Sequence, residues 1–124
     1  MTIFNAVDAR ASAEIATATR RISAFAAELT AAIANNEARP ADILRRHGAA
    51  VDASARLRVW RDAARWVEKA HLIADTRELA MDQLHAYALS NALGTRSTSS
   101  SPLTNIQEEA ERLEWAEVVR LTRP

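Results

Sequence analysis

Apolar residues recur in steps of three and four through the first third of the chain: Phe4, Val7, Ala11, Ile15, Ala18, Ile22, Phe25, Leu29 and Ala32/Ile33. At about 100° per residue these steps draw one stripe, which predicts an amphipathic helix over about 5–35, with Asn5 or Asp8 as its cap. The positions between are mostly Ala, Thr and Ser, small enough to let a neighbouring helix approach closely. A helix of roughly 30 residues spans about 45 Å. That exceeds what a small bundle needs, so it predicts a long hairpin or part of an oligomer interface.

The remaining elements follow from punctuation. Pro40 suits the first turn of a short helix over about 41–47, and Gly48 is placed to end it in the left-handed region. Asp52 or Ser54 then opens a helix over about 53–73. Asp75 and Glu78 form a variant capping box for a helix over about 76–93, stopped before Gly94. Residues 94–103, rich in Ser and Thr, read as a flexible loop. Thr104 and Gln107 form a capping box for a last helix over about 105–121. No strand-like alternation persists and no internal repeat is found. The expected fold is therefore all-α: a single domain over residues 1–124, with a bundle of four main helices plus one short one.

The stretch LRVWRDAARWVEKAH, residues 57–71, carries two of the three tryptophans. On a helical wheel its apolar residues, with Trp60 and Trp66 about 120° apart, fill an arc of about 200°. An arc that wide suits a central helix with neighbours on two sides. The tryptophans and His71 then belong to the packing side, and a narrow edge of Arg58, Arg61, Arg65 and Lys69 remains. That edge is a candidate binding surface for an anionic partner. The competing reading is a solvated face diluted by Asp62 and Glu68.

The last helix is two-sided. Ile106, Ala110, Leu113 and Leu121 lie on one side, and Trp115, Val118 and Val119 lie opposite. A terminal helix needs one apolar face, so the second set is a candidate partner or self-association patch. The alternative is that a bend or the long first helix covers it.

Charge and composition narrow the classes. Sixteen Lys and Arg balance sixteen Asp and Glu, so net charge favours neither nucleic acid nor an anionic membrane. Locally, residues 39–71 hold eight cations against four acids, and residues 105–124 hold five glutamates against three arginines. The two segments can attract each other within the fold or across a dimer. Fifteen of the sixteen cations are arginine, a usage expected of a GC-rich bacterial genome or its phages. With no cysteine, disulfides, thiolate metal sites and a cysteine nucleophile are excluded. The N-terminus lacks a signal-peptide layout and no run reaches about 18 apolar residues, so a cytoplasmic location is expected.

Catalytic and metal readings are thin. Glu68 and His71, echoed by Asp82 and His85, have the spacing of carboxylate-bridged metal bundles. Glu68 falls in the charged arc and His71 in the apolar one, so no metal site and no cofactor are expected. Residues 45–60 resemble a helix-turn-helix only loosely, because the segment after Gly48 is too long for a DNA-reading turn. Serines cluster in the 97–101 loop, away from any base, so an enzyme is not expected. The expectation is a non-enzymatic protein–protein interaction module, an adaptor, regulator or phage or mobile-element accessory protein. It would self-associate as a dimer through the long first helix and the C-terminal helix. The rival is a nucleic-acid-associated regulator using the basic segment 39–69.

Overall fold

The computed structural model describes residues 3–36, 39–73, 76–94 and 101–123. Its elements are α1 (Ile3–Ala34), α2 (Pro40–Glu68), a single-turn α3 (Ala70–Ile73), α4 (Arg77–Ala92) and α5 (Pro102–Thr122), with no strand among the described residues. The protein is an all-α helical bundle with four main helices.

The expected short helix at 41–47 is not a separate element. It is the first part of α2, which runs unbroken for 29 residues. Pro40 opens the helix as expected, but Gly48 does not close it: no glycine has a positive φ. Gly48 is buried, and a Cβ there would lie 3.1 Å from Ile106 Cδ1. The missing side chain serves close packing against α5, and the 20 residues of α2 that follow keep the helix going. Asp52 and Ser54 accordingly sit inside a helix, and Asp52 accepts a bond from Arg56 Nε at 2.9 Å. The helix-turn-helix reading ends here, because there is no turn at Gly48.

Other boundaries moved for local reasons. α1 begins at Ile3, so Asn5 and Asp8 are interior to it. It ends where Asn36 takes the left-handed conformation, φ 57°, which asparagine tolerates better than most residues. Thr76 caps α4, its hydroxyl accepting from Leu79 N at 3.1 Å. Ser101 caps α5 with Pro102 in the first turn, three residues ahead of the expected start. Of the expected 94–103 loop, Pro102 and Leu103 are helical and 95–100 lie outside the described residues, as do Asp75 and the side chains of Phe4 and His71.

Cross-helix contacts set the directions. Arg10 lies over Trp60, and Phe25 stacks on His47, so α1 and α2 run antiparallel. Gly48 meets Ile106 and Trp60 bonds to Glu114, so α5 runs parallel to α2. His85 reaches Thr122 and Tyr87 reaches Trp115, so α4 runs against α5. This gives an up-down-up-down order. The core sits at one end of it. Val7 and Ala11 of α1, Val59, Trp60 and Ala63 of α2, Ala80, Leu84 and Ala88 of α4, and Trp115, Val118 and Val119 of α5 form one buried cluster. The other end of the α1/α2 hairpin buries only small residues such as Ala32 and Gly48.

Candidate interaction surface

Arg58, Arg61 and Arg65 lie exposed on α2, and Lys69 lies exposed at its C-terminal cap. Arg58 is engaged within the chain, its Nη1 donating to Glu111 Oε1 at 3.1 Å. Arg61, Arg65 and Lys69 make no ion pair among the described residues. Asp62, expected to dilute the edge, instead accepts from the Tyr87 hydroxyl at 2.9 Å. Burial and the bond to Asp62 both push the Tyr87 phenol above its ordinary value.

Trp115, Val118 and Val119 are not a surface. They are 6 %, 0 % and 6 % exposed, because α5 has two neighbours, α2 on one flank and α4 on the other. Trp115 meets Tyr87 edge-on at 5.2 Å, and Tyr87 in turn lies against Trp66 at 5.3 Å. A helix held on two flanks needs two apolar strips, which is why the sequence shows both. The expected inward set turns partly outward: Leu113 is 52 % exposed and Ile106 36 %. A wheel separates faces, but it cannot say which of them the neighbours take.

Both tryptophans of residues 57–71 pack inward, and the buried Trp60 has its polar handle satisfied. Trp60 is fully buried and donates its Nε1–H to Glu114 Oε2 at 2.7 Å. Glu114 is itself buried and takes the Arg56 guanidinium on its other oxygen. Arg10 stands 5.5 Å from the Trp60 ring centroid, in cation–π range. Its Nη1 donates to Glu117 at 2.8 Å and its Nε to Glu14 at 2.9 Å. The bond to Glu14, then that to Glu117, holds the Arg10 guanidinium above its ordinary value. Bonds from Arg120 and Arg10 hold the Glu117 carboxyl below the ordinary carboxylate range. The basic and acidic segments of the chain thus attract each other inside the fold, through Arg56–Glu114 and Arg58–Glu111.

These groups are paired with one another. Thr122 Oγ1 donates to Val118 O at 2.8 Å, so the contact with His85 Nδ1 at 2.9 Å requires the histidine to donate. Among the described residues no three His, Cys, Asp or Glu side chains gather to hold a metal ion, and Asp82 lies exposed rather than facing His85 across a core.

The surface that sequence reasoning missed lies on the far half of the α1/α2 hairpin. Ile22, Phe25 and Ala26 of α1 and His47, Ala50 and Val51 of α2 line a shallow groove. Gln107, near the start of α5, and Arg58 close one end. Beyond it Ile33 is 62 % exposed and Leu44 53 %. α5 borders the groove through Gln107, next to Ile106, which lies against Gly48 of α2. Reading 41–47 as a separate short helix hid it, since only one continuous α2 sets these residues beside the first helix's stripe.

No family model, curated protein or solved structure matches this chain. Among the described residues no helix is long and apolar enough to cross a membrane.

Proposed function

We propose that the protein is a non-enzymatic interaction module whose α1/α2 hairpin offers its outer groove to another protein. The observation that carries this is the uncovered apolar groove beside large exposed side chains, Ile33 and Leu44, on regular helices. Contiguous apolar surface on a rigid scaffold is the usual mark of a docking site. An adaptor or regulator in a bacterial or phage cytoplasm fits this reading. Self-association through the first helix is its homomeric form, whereas the C-terminal helix contributes less than its sequence suggested, because Trp115, Val118 and Val119 are taken up by the core. That the polar side chains near the core are already paired with one another supports a binding role over a catalytic one.

The test is a photo-crosslinking residue placed at Leu44 and, separately, at Ala116 on the exposed side of α5. Protein adducts at position 44 and none at 116 are expected in the native cell. Adducts confined to 116, or none at 44, contradict the reading. The second reading, nucleic-acid association through 39–69, is favoured by one observation: Arg61, Arg65 and Lys69 are exposed with no ion pair among the described residues. It requires binding that weakens steeply with salt.

A further inference from the structure

The continuous α2 joins two features that the sequence presented as separate. Leu44, His47, Val51, Ser54, Arg58, Arg61, Arg65 and Lys69 follow one another in steps of 3 and 4. On the unbroken helix the run from Leu44 to Arg65 is a single stripe with the spacing of a helix-packing seam, about 32 Å long, and Lys69 follows at the helix's C-terminal cap. Every member is exposed except Val51, which is half-buried in the groove. The stripe changes character along its length. Its first half holds no Lys or Arg and borders the groove; its second half is four cations, of which only Arg58 has an ion pair among the described residues, with exposed Glu68 beside them.

We infer that this stripe docks an amphipathic helix of another protein, apolar at one end and acidic at the other. The inference rests on the interaction reading above and names its partner class. Charge decides against the other occupants. A second copy laid parallel on the stripe would face four cations with four cations, and laid antiparallel would set those cations against Leu44 and Val51. Either arrangement leaves like charges or desolvated charges unmatched. A nucleic-acid backbone could use Arg61, Arg65 and Lys69 but offers nothing to the apolar half. An acidic helix satisfies both halves, and carboxylates in its own first turns would also complement its dipole.

The experiment titrates the full chain into two labelled, designed 20-residue helices that share one leucine stripe over their C-terminal half. One carries Glu in its first two turns and the other carries Lys there. Three matched charge pairs at a partly exposed seam predict that the Glu peptide binds about tenfold tighter at low salt. The triple variant Arg61→Glu, Arg65→Glu, Lys69→Glu should reverse that preference. Leu44→Ser, with helicity by circular dichroism unchanged, should weaken both peptides. Equal binding of the two peptides, no binding of the Glu peptide, or its displacement by a 20-base-pair DNA duplex regardless of Leu44 would overturn the inference. If Leu44→Ser weakens both peptides while the charge variants are silent, the acidic partner falls and the groove stands. If Leu44→Ser is silent and position 44 gives no adducts, the interaction reading falls with it.

Discussion

The two ends of the α1/α2 hairpin are built from the same pair of helices and packed in different ways. At the near end, Trp60, Val59, Leu84, Val118 and Trp115 from three helices close on Val7 and Ala11 of the fourth. At the far end, the buried residues are small, such as Ala32 and Gly48, Phe25 stacks on His47, and Ile33 and Leu44 face outward. The near end buries large side chains and a tied polar cluster. The far end has a seam but no core of its own. Burial of apolar area and its close packing carry stability, so the near half should hold the fold together while the far half is free to be used.

Breaking the near end should have the largest effect. Trp60→Ala removes the largest fully buried side chain and the donor that Glu114 depends on. A loss of about 3–5 kcal/mol in urea unfolding is expected; a loss comparable with that of Leu44→Ser, expected within about 0.5 kcal/mol as an exposed substitution, would erase the contrast. Arg56→Met comes next, because it leaves the buried Glu114 carboxylate with the indole alone. A loss of about 2–3 kcal/mol is expected, below the usual range for a broken buried pair since Arg56 is itself part-exposed. Glu114→Gln in the Arg56→Met background should recover part of it by removing the unpaired charge while keeping an acceptor for Trp60.

Gly48 marks the border between the halves, and its effect should be small and of opposite sign. Alanine is favoured over glycine inside a helix by about 1 kcal/mol. The atom that an added Cβ would meet is Ile106 Cδ1, the tip of a flexible and part-exposed side chain. Gly48→Ala should therefore stabilise by about 0.5 kcal/mol or less, whereas Gly48→Leu should push α5 away and destabilise. A loss on Gly48→Ala would mean that the α2–α5 approach is rigid there. The smallest effect is set by pH. Glu117 is held below the ordinary carboxylate range by Arg120 and Arg10, so its contribution is present above the unfolded carboxyl value and is lost as pH falls through the lowered one. The stability difference between wild type and Glu117→Gln should shrink over that acid window; a difference independent of pH would remove the pairing from the account.

The fold class was legible in the sequence because the three-and-four spacing of apolar residues is strong and long, as in the stripe from Val7 to Leu29. The packing role of Trp60 and Trp66 was legible for the same reason, from an arc too wide for a surface helix. The continuity of α2 was not. Gly48 looks like a terminator on local grounds, and only the approach of Ile106 explains why a glycine sits in mid-helix. The inward side of α5 was not legible either, since Trp115 and Leu113 are both apolar and the choice between them belongs to where α4 lies. The cations of the α2 edge were visible from the start. That Arg58 would be taken by Glu111, and that the rest would continue a stripe begun by Leu44, depends on α5 and on an unbroken helix.

Native-state amide hydrogen exchange, followed residue by residue on the isolated chain, tests the difference between the two ends most directly. Amides of residues 57–66 and 112–120 should exchange only through global unfolding, and those of residues 24–32 and 44–47 should open at clearly lower free energy. Equal protection along the whole of α2, or greater protection at its first half than at its second, would contradict the account.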